Sequence, residues 1–198
     1  MQMFEKFKVG YAHMKLRQES TQVLRERTDP DIHRQARIGI LYDATDKDDF
    51  EVVKEFFRDL KVSRKAPVSL GYIDYLEPTF HPLARPESDY FFKNQSNWYK
   101  KPNGPIVENF IDEPFDMLIN LSLTDFYPLN YITAVSRAGL KIGRANSAIS
   151  YCYDMSFFLD EKATLKSFAY LIIHYLSNIN HERPTQSARN RSSHYYSV

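Results

Sequence analysis

FDMLINLSLTDFYPLNYITAVSRAGLKIG, residues 115–143, decides the fold. Its opening run, MLINLSL at 117–123, is apolar almost without alternation, which is the pattern of a strand covered by helices on both faces. Ser122, Thr124 and Asp125 then turn the chain. Pro128 falls where the first turn of a helix tolerates a missing N–H, and Tyr131, Ile132, Val135 and Ala138 recur at helical spacing. Gly139 is placed to close that helix in the left-handed conformation, and Lys141-Ile142-Gly143 resumes an extended path. Strand, loop, helix and next strand form one βα unit of a parallel sheet with its successor attached.

Working outward toward the N-terminus, residues 106–111 read as a short helix and RIGILY at 37–42 as the first strand, turning at residues 43–46. The helix after it carries Phe50, Val53, Phe57 and Leu60 on one stripe, and Thr45 with Asp48 three positions later reads as its capping box. PVSLGYIDY at 67–75 is the second strand, entered through a proline that a strand tolerates at its first position. Residues 76–105 are an irregular insertion rich in proline and aromatic rings. A structureless loop of this length is uncommon in a compact domain, so it either holds a short strand such as 89–93 or is functional.

On the other side, residues 151–159 read as a last edge strand. Asp160 reads as the cap of an amphipathic helix bearing Leu165, Phe168, Ala169, Ile172, Tyr175, Leu176 and Ile179. Residues 1–36 form an N-terminal amphipathic arm whose narrow stripe is Phe4, Phe7, Tyr11 and Met14, interrupted by Thr28-Asp29-Pro30-Asp31 before the domain proper. Gly10 weakens that helix by about 1 kcal/mol. The expected organisation is an arm at 1–36, an α/β domain at 37–180 and a flexible basic tail at 181–198. The expected fold is a three-layer, Rossmann-like parallel sheet of about four or five strands, whose first four follow the order 2-1-3-4.

Composition narrows the function. The chain has 198 residues, 43 % of them hydrophobic, enough for one ordinary core. A net charge of +1 confines any attraction to nucleic acid or anionic membrane to local patches. One cysteine, Cys152, excludes an internal disulfide framework and a cysteine-rich zinc site, which fits a reducing compartment. No apolar run is long enough to span a bilayer, and Glu5, Lys6 and Lys8 interrupt the place of a signal peptide, so the expectation is a cytoplasmic protein.

Two candidate sites follow. In a doubly wound sheet ligands lie beyond the carboxyl ends of the strands at the switch point. That places a crevice between Asp43, Thr45 and Asp46 on one loop and Ser122, Thr124 and Asp125 on another, with Asp74, Tyr75 and Arg144 at its rim. Asp43, Asp46 and Asp125 are oxygen ligands of the type Mg²⁺ takes, with helix capping and solvated loops as the plainer role. G-x-G-x-x-G, G-x-x-x-x-G-K-[ST] and G-x-S-x-G are all absent, so glycine-rich phosphate cradles and a nucleophile elbow are not expected, and no motif implies a cofactor.

The second candidate joins the arm to the insertion. Phe92, Lys93, Trp98, Tyr99, Lys100 and Lys101 interleave rings with cations, the composition that single-stranded nucleic-acid binders use, and Phe4, Phe7, Lys8 and Lys15 of the arm have the same character. The plainer role is rings folded over a sheet edge with lysines in water. The reading that unites a well-specified scaffold with missing catalytic signatures is a non-enzymatic binding or adapter module for a macromolecular partner, RNA or the ribosome among them. The alternative is a small-molecule or nucleotide-binding protein, or an enzyme, using the crevice.

The central block, with RIGILYD before it and YDMSFFLD and its helix after it, resembles a domain-of-unknown-function family of small proteins from Bacteroidota. The resemblance covers about residues 37–180 and implies an α/β fold and the cytosol, with no catalytic residues to carry over. The same block is similar, more distantly, to the N-terminal half of heptosyltransferase-type glycosyltransferases, where a D-L-x-I-D-L strand leads to a helix ending in A-G-x-x-x-I-G. Asn120 stands where the second acidic residue of that strand falls, and the nucleotide-sugar domain of those enzymes has no counterpart here, so the likeness implies fold and not transfer chemistry.

Overall fold

The computed structural model describes residues 2–27, 36–75 and 87–179. Six strands, β1 (Arg37–Asp43), β2 (Ala66–Ile73), β3 (Ser88–Phe92), β4 (Met117–Leu121), β5 (Leu140–Arg144) and β6 (Met155–Phe157), form one sheet in the order β3-β2-β1-β4-β5-β6. Every pairing is parallel. The helices are α1 (Gln2–Ser20), α2 (Lys47–Val62), α3 (Pro105–Asp112), α4 (Tyr127–Val135) and α5 (Leu165–Ile179).

All five residues of β4 are buried, as a strand between two helical layers requires. On one face Ile38, Ile40, Ile119 and Ile142 meet Val53, Phe56 and Leu60 of α2 and Phe168, Ile172 and Leu176 of α5. On the other Leu41, Leu70 and Leu118 meet Val107 and Phe110 of α3 and Leu129 and Ile132 of α4. The expected order of four strands is that of β2, β1, β4 and β5. The sheet is wider than four or five strands because β3 forms inside the insertion, where a short strand at 89–93 was one of two expectations, while β6 lies within the edge strand expected at 151–159.

Several local expectations are corrected. The α4 helix ends at Val135, where Ser136 turns to extended backbone, so Gly139 does not cap it; the Gly139 N–H instead donates to Phe115 O at 3.0 Å and opens the β5 pairing. Asp46, not Thr45, caps α2 by accepting from the Asp48 N–H at 2.7 Å, and the Thr45 hydroxyl accepts from the Asp74 N–H at 2.9 Å. Thr164 and Ser167 cap α5 reciprocally, whereas Asp160 accepts from the Lys162 N–H in the preceding turn. Cys152 lies in a 3₁₀ turn (Ser150–Cys152), leaving only Met155–Phe157 as the edge strand. The expected turn at 28–31, the prolines at 78, 82 and 86 and the tail at 181–198 lie outside the described residues.

The arm helix α1 packs outside α4, adding material beyond the three layers. Its buried residues are Ala12 and Leu16, and Leu16 lies with Tyr131, Ala134 and Ile149. The stripe read from the sequence is therefore not the docking face: Phe4, Phe7 and Met14 are exposed, and only Tyr11 at its border is half-buried. Beyond α1, Arg25 grips Asp154 through both terminal nitrogens at 2.6 and 2.8 Å and also donates to Ala138 O and Gly139 O. This forked pair fixes the chain across the start of β5.

Candidate binding site

The polar groups of the two loops expected to face each other across a crevice are engaged within their own turns or with neighbouring segments. Asp43 accepts from the Thr45 N–H at 2.9 Å. Burial raises the Asp43 carboxyl above its ordinary range; bonds from Thr45 oppose the shift, and the nearby charges of Asp74 and Asp46 add to it. Ser122 donates to Thr124 O at 2.6 Å, closing a local turn. Asp125 accepts from Ser147 Oγ at 2.7 Å, from Asn130 Nδ2 at 3.2 Å and from the Ala148 N–H at 3.3 Å, and forms an ion pair with Arg144 at 3.2 Å. It pins the segment after β5 to the start of α4. Asp43, Asp46 and Asp125 do not converge, and among the described residues no group of three His, Cys, Asp or Glu is placed to hold a metal ion.

The arm and the insertion, by contrast, meet. The loop after β3 is folded around Asn97, whose Oδ1 accepts from the N–H groups of Tyr99 at 3.1 Å and Lys101 at 3.0 Å. Lys100 takes a left-handed φ of 68°, and Ser96 bridges to Pro102. This tight turn lifts Trp98 to its tip, where the indole stacks on Tyr11 of α1 with ring centroids 5.1 Å apart and planes 29° from parallel. Phe7 continues the row at 6.4 Å from Tyr11, and Tyr99 meets both Tyr11 and Trp98 edge-on. Phe4 and Phe7 are each 62 % exposed and Trp98 is 52 % exposed, so the row is open on its outer side.

Ionic contacts lock the two segments together. Lys101 reaches Glu19 of α1 at 2.8 Å and lies 4.9 Å above the Tyr131 ring, and the Tyr131 hydroxyl also donates to Glu19. Burial acts to raise the Glu19 carboxyl, but the bonds from Lys101 and Tyr131 outweigh it and hold the group below its ordinary value. The Tyr127 hydroxyl donates to Ala12 O at 2.8 Å. Of the other expected partner-binding residues, Lys15 donates to Gln18 and lies 5.9 Å from the Tyr11 ring centre. Lys93 forms an ion pair with Asp74 at 3.1 Å, and the half-buried Phe92 packs against the main core.

Beneath this surface is a cleft of about 440 Å³, walled by Lys8, Ala12 and His13 of α1, by Lys93, Ser96, Tyr99 and Lys100 of the loop, and by Tyr72, Asp74, Asp125, Phe126 and Tyr127 at the sheet. Tyr11, Glu19, Tyr127 and Tyr131, which build the junction, were not among the expected site residues. The only sequence signal is that Tyr11 belongs to the arm's apolar stripe; the others depend on α1 folding back onto α4, which no local pattern encodes.

The model of a family of unknown function (DUF6913) matches residues 6–179. No curated protein matches the chain, and no solved structure matches it.

Proposed function

The chain belongs to this family of unknown function, and from its geometry we propose that it is a non-enzymatic binding module for single-stranded RNA, free or displayed on a ribonucleoprotein. The observation that carries the reading is the Tyr11–Trp98 stack, which fuses two separately basic and aromatic segments into one surface. Residues 2–20 and 93–101 hold Lys6, Lys8, Lys15, Arg17, Lys93, Lys100 and Lys101 against Glu5 and Glu19 alone, in a chain whose net charge is only +1. Cations therefore concentrate where the exposed rings are. Unstacked bases settle on such rings while lysines track the phosphates, and the match needs no base-edge readout.

The test is a filter-binding series with a short oligouridylate. Phe7→Ala should weaken binding by roughly five- to a hundredfold, the range for one lost base–ring stack. Lys6→Gln with Arg17→Gln should flatten the dependence of affinity on salt, because fewer counterions are released. Binding by Phe7→Ala equal to that of the unmodified chain would remove the ring row from the site. Deleting the arm is a poor test, since it would also uncover Tyr131, Ala134 and Ile149.

A further inference from the structure

We infer that the cleft beneath α1 is a second site, adjoining the exposed ring row, that binds a phosphomonoester carrying a flat ring, of nucleoside-monophosphate size. Its volume of about 440 Å³ lies in the ordinary range for small-molecule sites, roughly 300–1,000 Å³. It opens beyond the carboxyl ends of parallel strands, where doubly wound sheets hold ligands. The charges in its wall are unequally used. Asp74 is occupied by Lys93 and by the Tyr72 hydroxyl at 2.6 Å, and Asp125 by Arg144, Ser147, Asn130 and Ala148. Lys8 of α1 and Lys100 of the loop both line the cleft and have no carboxylate partner among the described residues. Among the described residues, once the internal pairs are discounted, the wall keeps Lys8 and Lys100 as cations without a carboxylate and no carboxylate without a cation.

Two further features point the same way. The N-terminus of α4 forms part of the wall through Phe126, Tyr127 and Pro128, and its N-cap residue, Phe126, supplies no side-chain hydrogen bond to the first turn. Pro128 contributes no N–H to that turn, so what it offers an anion is chiefly the positive end of the helix dipole. Tyr72, Tyr99, Phe126 and Tyr127 give the remaining wall an aromatic character suited to a planar ring. The cleft shares Lys8, Lys93, Tyr99 and Lys100 with the RNA-facing surface, but Phe4 and Phe7 of the exposed row do not line it, so the two kinds of binding are separable by experiment.

The experiment is calorimetric titration of the full chain with adenosine monophosphate, uridine monophosphate, adenosine and inorganic phosphate. At least one monophosphate should bind saturably at one site, about tenfold or more tighter than either adenosine or phosphate. Lys8→Gln with Lys100→Gln, both surface changes, should weaken that binding by about tenfold or more. Phe4→Ala with Phe7→Ala should leave it unchanged while abolishing oligouridylate binding. The inference is overturned if no monophosphate binds, if phosphate alone binds as tightly, if the double-lysine variant binds like the unmodified chain, or if the double-phenylalanine variant loses the monophosphate.

Discussion

Lys141 carries a buried amine in the middle of β5. It is 2 % exposed, and its Nζ donates to Ala134 O at 2.9 Å near the end of α4. Burial, with the charge of Arg25 adding to it and those of Cys152 and Asp154 opposing, brings its pKa down from 10.5 to about 8. The unfolded chain therefore binds more protons than the folded one between about pH 8 and 10.5, and stability from this group rises with pH across that window. Below it the cost of the buried charge is felt in full. Lys141→Met should be more stable at pH 7 by roughly 1–3 kcal/mol, and its advantage should shrink as denaturant melts are repeated toward pH 10. Gly143, two residues on, was legible as a strand residue but not as a necessity. A Cβ there would lie 2.1 Å from Tyr153 Cζ, and the Tyr153 hydroxyl accepts from Asn120 at 3.0 Å. Gly143→Ala should cost about 2 kcal/mol or more in a thermal or urea melt, through displacement of that ring and loss of its bond to Asn120. The partner of a bare glycine ten residues away is a tertiary fact, which is why no reading of LKIG reveals it.

At the scale of elements, α1 illustrates how periodicity can be right about the helix and wrong about its buried face. Phe4, Phe7, Tyr11 and Met14 are its most apolar line, yet Ala12 and Leu16 are what the domain covers. Small Ala12 lets the helix backbone approach Tyr127, and a charged residue, Glu19, is drawn inward because Lys101 and Tyr131 satisfy it. Hydrophobic pattern alone would bury the rings that the structure leaves open. The carboxyl of Glu19 is held below its ordinary value, so its contribution is present above the unfolded pKa, about 4.5, and is lost as pH falls through the folded one. Protection factors for amide exchange in residues 8–20 should therefore fall as the pH drops below about 4.5, and Glu19→Gln should show at pH 7 much of the loss of protection that acid produces in the unmodified chain. Exchange in the variant as slow as in the unmodified helix would mean that the Glu19 contact does not hold α1 down. Helix caps were misplaced by one to a few residues for a similar reason. Thr45, Asp46 and Asp160 are all good capping types, and which one faces the first turn depends on what else, such as the Asp74 N–H, claims its oxygen.

Across the whole molecule, the parallel sheet was legible because β1, β2 and β4 are too uniformly apolar to have a wet face, and strands of that kind need helices on both sides. The edges were harder. The β3 strand is five residues inside a proline-rich insertion and β6 is three, lengths at which pattern is weak. The expected crevice was half legible: Asp74 and Asp125 do line a cleft at the strand ends, but Asp43, Asp46, Ser122 and Thr124 do not, each being consumed by a turn or cap of its own loop, nor does Thr45, whose hydroxyl is taken by the Asp74 N–H. None of the described helices is long and apolar enough to cross a membrane. What distinguishes the molecule is the joining of the aromatic and basic segments 2–20 and 93–101 through the Tyr11–Trp98 stack, in a chain whose net charge is only +1.

Trp98 is the chain's only tryptophan and lies in that stack, half-exposed on Tyr11, so its emission reports on the proposed contact without any label. The decisive measurement is a fluorescence titration of the unmodified chain with a short single-stranded oligouridylate at low salt, repeated at several salt concentrations. The account predicts saturable quenching of Trp98 whose midpoint moves to higher RNA concentration as salt is raised. Emission that stays constant through a saturating excess of RNA at low salt would contradict it.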